Sequence, residues 1–243
     1  VSYPFANPHG HVFDRWGQDF VTDGTGNVNY YALAFSGHVD YPRKHPEMQP
    51  IFHQRTRPSP GTGILSSRHF PDDVQGDILI NNTIGFLGTK QHAVAEDGTG
   101  FKLTFRQNLL QSKDGNFRPV SMEFAPDGSL YIADWHNALI GHMQHNARDP
   151  NRDHEHGRIY RVTYPGRPLL KPAKVAGASI PELLENLNLP EYRTRYRTRR
   201  ELRARPASEV LPTVKAWAAQ LDRRDPAYEH HLCEALWATW GQN

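Results

Sequence analysis

Residues 116–134 carry the sequence NFRPVSMEFAPDGSLYIAD, in which two short apolar segments flank a Pro-Asp-Gly turn. Pro126 fixes φ for the turn and Gly128 allows a positive φ, so this stretch predicts a β-hairpin. Apolar residues alternate with polar ones on both sides of the turn, at Val120, Met122, Phe124, Leu130 and Ile132. This alternation predicts two strands with one buried face.

The same turn-and-strand pattern occurs three times, around Gly17, Gly76 and Gly128. In each copy a turn with an acidic residue and glycine precedes a short alternating strand that ends on Asp or Asn. The glycines are 59 and 52 residues apart, which leaves room for a four-stranded sheet in each repeat. This period is typical of β-propeller blades. Only about three blades are present, so we predict part of a propeller, since a closed ring needs about four or more.

Composition changes near residue 165, where strand patterns give way to proline, glycine and then helical periodicity. We predict a partial propeller over residues 1–165, a linker over 166–178 and α-helical repeats over 179–243. Predicted helices cover 179–188 and 191–205, a third follows an N-cap at Ser208, and a fourth begins at Asp225-Pro226 and ends at Gly241. Short helices joined by tight turns are typical of HEAT-like repeats, and this array is expected to be incomplete.

The composition is that of a polar globular protein, with 37% hydrophobic and 22% charged residues and a net charge of +2. No apolar run reaches the ~18 residues that a membrane helix needs. Cys233 is the single cysteine, which excludes an internal disulfide framework and a Cys-based haem motif within this sequence. Because the sequence starts at Val1 without a signal peptide, we expect it to be a piece of a longer protein.

Histidines are concentrated in residues 135–156. Four of them have spacings that would let their imidazoles converge on zinc, copper or a haem edge, namely His142, His145, His154 and His156. The alternative is a hydrogen-bonded loop held by neighbouring charged side chains. Asp23 and Asp134 end strands at equivalent repeat positions, where they either line a central site or cap a loop amide, and we favour the cap.

Seven arginines lie between residues 191 and 205. Clustered guanidinium groups can bind nucleic-acid phosphates, but the run lacks a recognition motif and contains acidic neighbours, so a solvated helix face is favoured and no nucleic-acid partner is predicted. Arg199 is the exception, because it falls between Tyr196 and Leu202 on the apolar side. We predict that Arg199 is partly buried and ion-paired.

Three motifs resemble the glucose/sorbosone dehydrogenase family of quinoprotein sugar dehydrogenases. They are residues 7–10 (NPHG), residues 58–61 (PSPG), and Arg118-Pro119-Val120 followed by Pro126-Asp127-Gly128. Nearly the whole chain also resembles a region of large PVC-type haem-binding CxxCH, membrane-bound dehydrogenase proteins. That resemblance is strongest at residues 134–137 (DWHN), 140–145 (IGHMQH) and 148–159 (RDPNRDHEHGRI). In such proteins a propeller precedes HEAT repeats and a cytochrome c domain in the cell envelope.

The resemblance implies specific roles for residues of this sequence. It makes Asn7 and Arg118 contacts to pyrroloquinoline quinone (PQQ), whose carboxylates and carbonyls suit amide and guanidinium donors. It places Gly24, Thr25 and Asn29 where that family binds calcium. The family's catalytic histidine falls in an earlier blade, outside this sequence, so the piece alone is expected to be inactive and its catalytic residues are unknown.

Two functions from different classes follow. The first is a segment of a periplasmic or envelope-located quinoprotein-like dehydrogenase that oxidises a sugar or alcohol. Its electrons would pass to a fused, haem-carrying cytochrome c domain absent from this sequence. The second is a non-catalytic propeller–solenoid module that binds a glycan or a protein partner. A gluconolactonase-like hydrolase is a third option, which would need a metal-binding Glu/Asn/Asp set.

Overall fold

Antiparallel sheets form the first part of the chain and helices form the second. In the computed structural model, the described residues are 7–24, 29–31, 40, 42–43, 50–51, 61–140 and 148–242. The first sheet has the order β1-β2-β3, with β1 Pro8–Phe13, β2 Asp19–Asp23 and β3 Asn29–Tyr31. The second has the order β4-β5-β6-β7, with β4 Thr62–Ile64, β5 Ile78–Asn82, β6 Gly88–Asp97 and β7 Gly100–Gln111. The third has the order β10-β9-β8, with β8 Pro119–Phe124, β9 Leu130–Asp134 and β10 Arg158–Val162.

The predicted repeat is confirmed at the level of the strands. Gly17, Gly76 and Gly128 have φ angles of 81°, 85° and 84°, and each lies just before the second strand of its sheet. These values lie in the left-handed region, which glycine adopts without the penalty that a Cβ brings. A glycine in this region therefore precedes β2, β5 and β9. The N–H groups of Gly17 and Gly128 donate to the carbonyl three residues before, whereas that of Gly76 donates to the carbonyl of Leu65.

The hairpin at residues 116–134 also forms as predicted. The N–H of Gly128 donates to the carbonyl of Ala125 at 2.9 Å, and the N–H of Ala125 donates to the carbonyl of Ser129 at 2.8 Å. Leu130 and Ile132 are fully buried, whereas Tyr131 between them is exposed. A second hairpin joins β6 to β7, and its tight turn has Gly98 at φ 60°.

The first strands of the three sheets approach one another at glycines. A Cβ on Gly10 would overlap the Thr62 side chain, and a Cβ on Gly63 would lie 2.8 Å from Met122 Sδ. A Cβ on Gly61 would lie 3.0 Å from the Val120 carbonyl oxygen. A Cβ therefore does not fit at Gly10, where β1 meets β4, and it is crowded by backbone atoms at Gly61, whereas at Gly63 the contact is with the flexible Met122 side chain.

The chain divides into two compact units. The sheets belong to the unit formed by the described residues of Val1–Leu65, Asp73–Glu123 and Leu130–Val162. The other unit comprises Ser66–Asp72, Phe124–Ser129 and the described part of Thr163–Asn243. Its helices are α1 Ile180–Asn186, α2 Tyr192–Arg203, α3 Ala207–Ala219 and α4 Tyr228–Trp240.

The helices of the second unit share one apolar core. Leu183 and Leu184 of α1, Leu202 of α2 and Val210 of α3 are at most 1% exposed and belong to this core. A capping box starts α1, because Ser179 accepts from the Glu182 N–H while the Glu182 carboxylate accepts from the Ser179 N–H at 2.7 Å. Within the described residues, no helix is long and apolar enough to cross a membrane.

Two of the predicted helix starts are wrong. The helix α3 begins at Ala207 with Pro206 as its N-cap, so Ser208 lies inside the helix. The helix α4 begins at Tyr228 and not at Asp225-Pro226. There the Asp225 carboxylate accepts from the Ala227 N–H at 2.8 Å, and this local turn competes with the helix. The end of α4 at Gly241 is as predicted.

A buried carboxylate joins α2 to α4. Glu234 is fully buried and accepts from Arg195 Nε at 2.9 Å and from Arg199 Nη1 at 2.6 Å. The prediction that Arg199 is partly buried and paired is confirmed. Arg195 departs from the predicted solvated face, because it is 2% exposed and donates to the carbonyls of Leu189 and Pro190 as well. Burial lowers the pKa of Arg195, and Glu234 opposes this effect.

The Gly128 turn offers a test of backbone conformation against crowding. A Cβ on Gly128 would lie 2.6 Å from Ser67 Oγ and 2.9 Å from His69 Cβ. Gly177 also has a positive φ but open space around it. We expect Gly177→Ala to lower the free energy of unfolding by about 1 kcal/mol and Gly128→Ala by about 2–4 kcal/mol in urea denaturation. An equal loss of unfolding free energy in the two variants would show that the side chains near Gly128 move to make room for a Cβ.

The Glu234 cluster provides a second test. We expect Glu234→Gln to cost about 3–5 kcal/mol, because it leaves the buried Arg195 without its counter-charge. Glu201→Gln is the matched control, since it breaks the half-exposed pair with Arg205 (2.6 Å) and should cost under about 1 kcal/mol. Thermal unfolding followed by helical circular dichroism measures both. A Glu234→Gln variant as stable as Glu201→Gln would contradict this expectation.

Candidate functional site

The polar cluster around Asp134 contains Arg118, a buried residue for which the family resemblance implies a cofactor contact. Asp134, at the end of β9, is 3% exposed. Its Oδ1 accepts from the backbone N–H groups of Arg118 at 2.7 Å and His136 at 2.8 Å. Its Oδ2 accepts from Arg158 Nε at 2.6 Å. The carboxylate therefore holds the chain at three places, before β8, after β9 and at the start of β10.

Arg118 lies at the entry to β8 with its side chain turned inward. The residue is 8% exposed, and its Nη1 and Nη2 donate to the carbonyls of Phe117 (3.2 Å) and Ala138 (3.0 Å). Burial lowers the pKa of this guanidinium, while the charges of Asp134 and Asp114 act in the opposite direction. Pro119 follows directly and keeps the residue before it extended, which is a local reason for this position.

Three buried nitrogens in the cluster have no hydrogen-bond partner within the described part of the chain. They are Arg118 Nε, Arg158 Nη2 and His136 Nδ1. His136 also has a φ of 51°, which a residue with a Cβ adopts at a cost of about 1 kcal/mol or more. Unpaired buried donors and local strain are features that recur at binding sites.

The charges in the cluster balance. Arg158 Nη1 donates to Asp114 Oδ2 at 2.7 Å in addition to its bond with Asp134. Two aspartates therefore face two arginines, Arg118 and Arg158. Unpaired N–H donors, and not a net positive charge, are what the cluster offers to an oxygen-bearing ligand.

Asn7 occupies the position in the first sheet that Arg118 occupies in the third. Each precedes a proline that starts the first strand, and each donates its backbone N–H to the aspartate that ends the second strand. For Asn7 this partner is Asp23, at 3.1 Å. The carbonyl of Asn7 accepts from the Gly24 N–H at 2.8 Å, and that of Arg118 accepts from the Trp135 N–H at 2.9 Å. The predicted capping role of the two strand-end aspartates is confirmed.

The predicted calcium ligands are described only in part. Gly24 is buried beside the His9 ring. Thr25 lies outside the described residues, and Asn29 is described only as the first residue of β3, paired with Thr22. The calcium site therefore remains a prediction.

The histidine-rich loop is also described in part, because His142 and His145 lie outside the described residues. His154 and His156 are exposed, and His156 Nδ1 contacts the Asp153 carboxylate at 3.0 Å. The backbone N–H groups of Glu155 and His156 donate to the Asp153 carboxylate and lower its pKa, and the Glu155 bond has the larger effect. Where the chain is described, no three His, Cys, Asp or Glu side chains are grouped to hold a metal ion.

Sequence reasoning missed Asp114 and Arg158 as members of the site, and it considered His136 only as part of the histidine-rich loop. Arg158 is 44 residues from Asp114 and 24 from Asp134, so no local pattern indicated that these side chains meet. The one available signal was the Asp134-Trp135-His136 run, which the resemblance had already singled out.

The two carboxylates that share Arg158 allow a matched test. Asp134 is fully buried at its side chain, whereas that of Asp114 is 38% exposed. We expect Asp134→Asn to lower the free energy of unfolding by about 2–3 kcal/mol, because it leaves a charged donor facing an amide N–H₂. Asp114→Asn should cost at most about 1 kcal/mol. Urea denaturation followed by tryptophan fluorescence measures both variants. Similar losses of unfolding free energy would contradict the expectation that the buried carboxylate contributes more than the exposed one.

Comparison with solved structures gives two partial similarities. The chain is 16% identical to a structure described as glucose dehydrogenase, with a TM-score of 0.40, over 65% of this chain and 40% of that one. It is 15% identical to a Thermus thermophilus protein whose name also includes glucose dehydrogenase, with a TM-score of 0.38, over 63% of this chain and 44% of that one. This chain thus spans under half the length of either structure.

Comparison with protein families gives a broader match. No curated protein matches the chain. One family matches residues 2–166, which is more than half of the sequence and includes all ten described strands. The chain therefore belongs to the family described as Domain of unknown function (DUF7133).

Proposed function

We propose that this chain is a segment of a quinoprotein-like dehydrogenase that oxidises a sugar or alcohol. The observation that carries the proposal is the buried Arg118 guanidinium, whose Nε has no acceptor within the described residues. Leaving a buried donor unpaired costs about 1–3 kcal/mol, and an anionic oxygen of a ligand would remove that cost. The sequence motifs around Asn7 and Arg118 support the same assignment.

The proposal treats the three sheets as neighbouring blades of a propeller. Two observations support this view. In each of the three sheets a glycine with positive φ precedes the second strand, and the first strands approach one another at Gly10, Gly61 and Gly63. Radial repetition of blades brings equivalent positions to the same end of the propeller. Asn7 and Arg118 are equivalent positions, so both would face one site.

The donor set fits PQQ, a planar quinone that carries carboxylates. Arg118 Nε and the Asn7 side-chain amide would donate to its oxygens, and Arg158 and His136 would contribute further nitrogens. When bound, this group supplies a two-electron acceptor for the oxidation of an alcohol. The Gly24 carbonyl, with Thr25 and Asn29, would provide oxygen ligands to calcium, as the sequence resemblance implies.

The chain's own residues act mainly by positioning. Asp134 fixes the backbone of Arg118 and the side chain of Arg158, and the carbonyls of Phe117 and Ala138 hold the Arg118 guanidinium. Neither guanidinium therefore needs to reorganise when a ligand arrives. Burial of Arg118 strengthens its electrostatic interaction with an anion, because the local dielectric is low. In the proposed full-length protein, electrons leave through a fused cytochrome c domain in the cell envelope; the sequence resemblance alone supports this part.

A second candidate is a non-catalytic module that recognises a glycan or protein. It is favoured by the bonds from Arg118 Nη1 and Nη2 to the carbonyls of Phe117 and Ala138, which give this guanidinium a structural role. On this view the remaining donor is satisfied by water.

Calorimetric titration with PQQ, with and without calcium, separates the two candidates. We expect binding to weaken by about tenfold or more in Arg118→Gln, because a charge-assisted hydrogen bond to the ligand is lost. Arg161→Gln is the matched control, since Arg161 is an exposed arginine of the same sheet. Circular dichroism confirms that each variant is folded before titration.

The outcomes are distinct. Binding that is lost in Arg118→Gln and kept in Arg161→Gln supports the dehydrogenase proposal. No binding of PQQ to the folded protein, with calcium present at millimolar concentration, would overturn it and favour the recognition module. Equal weakening in both variants would show that the ligand does not contact Arg118.

A further inference from the structure

The second unit contains a groove along one side of α2. It has a volume of about 590 Å³ and is lined by α2 and by segments 66–67, 124–128 and 172–176. This volume is within the range of sites that hold small ligands and short peptide segments. We call it the α2 groove, and it is separate from the Asp134 cluster.

Arginines form one wall of the α2 groove. Arg193, Arg197 and Arg200 line it and are four and three residues apart, which places them on one face of the helix. Along the axis they span roughly 10 Å. Arg193 and Arg200 lie over the Tyr196 ring at 5.2 and 5.8 Å from its centroid, and this contact orients both side chains.

The two carboxylates that line the groove are already paired. Glu191 is 7% exposed and accepts from Arg68 Nε at 2.9 Å and Arg68 Nη2 at 3.0 Å. Glu201 accepts from Arg205 Nη2 at 2.6 Å. Neither is available to neutralise the arginine wall. Among the described residues, Arg197 and Arg200 form no ion pair, and both are exposed.

Apolar residues also line the α2 groove. They are Pro126, Pro172, Ala173, Val175 and Ala176. A groove lined by both cationic and apolar side chains matches an occupant with two different sides, one acidic and one apolar. An extended peptide has this property, because successive side chains of a strand point in opposite directions.

We infer that the α2 groove binds an extended acidic peptide of a partner protein, with Asp or Glu at alternate positions and apolar residues between them. The arginines are about 6 Å and about 4.5 Å apart along the axis of α2, and same-side residues of a strand are about 7 Å apart, a difference that the long arginine side chains span. The acidic side chains pair with Arg197 and Arg200, and the apolar ones contact Val175 and its neighbours. Nucleic acid fits less well, because the apolar lining of the groove is mainly proline and small aliphatic residues, with Phe124 as its one aromatic side chain.

Fluorescence anisotropy with the whole chain tests this inference. The probe is a fluorescein-labelled octapeptide of alternating Glu and Val, at low salt and then at about 0.15 M salt. We expect saturable binding that weakens with salt and that weakens by about tenfold or more in the double variant Arg197→Glu, Arg200→Glu. Arg203→Glu makes the same charge change on the same helix, at an exposed arginine outside the groove, and should leave binding within about twofold.

Three results would overturn the inference. One is the absence of binding to the folded protein. Another is equal weakening by Arg203→Glu, which would indicate a diffuse charge effect. The third is tighter binding of an eight-nucleotide oligo(dT) with the same dependence on Arg197 and Arg200, which would assign the groove to phosphates. A Glu-Ser octapeptide should bind more weakly than the Glu-Val peptide, and equal binding would contradict the apolar contact.

Discussion

Strand-end carboxylates hold the chain where it enters the first strand of two sheets. Asp23 accepts from the Asn7 N–H, and Asp134 accepts from the Arg118 N–H, so each aspartate closes a loop between the start of one strand and the end of the next. Asp134 is buried, and an unpaired carboxylate there would be costly, so the loop around it has few alternatives. The direction of Arg118, and with it the proposed cofactor site, depends on this constraint.

The close approach of the first strands adds a steric constraint of a different kind. Gly10 leaves no room for a Cβ because of the Thr62 side chain, and Gly61 leaves little because backbone atoms of Val120 and Ser121 lie close to it. Interiors packed at this density tolerate few changes in volume. The glycines therefore limit how the three sheets can be arranged, whereas the polar cluster around Asp134 determines what the site offers to a ligand.

In the helical unit, too, carboxylates are paired with donors, and here the donors are arginine side chains. Glu234 is stabilised in the core because Arg195 and Arg199 supply charge and hydrogen bonds together. Glu191 and Glu201 are similarly paired, which leaves Arg197 and Arg200 as the groove's uncompensated charges. One helix thus carries arginines with opposite roles: two bind an internal carboxylate, and others face solvent and a groove.

Local features were predictable from the sequence alone. Turn glycines, alternating strands, the hairpin at 116–134 and the paired state of Arg199 follow from φ preferences and periodicity, which are properties of neighbouring residues. The starts of α3 and α4 were misplaced because side-chain caps and local turns compete over a few residues. By itself the sequence determined where the strands and their turns form. Only the tertiary structure decided that Arg158 joins Asp114 to Asp134 and that Arg195 is buried against Glu234, because these partners are 24 to 44 residues apart and meet only when the chain packs.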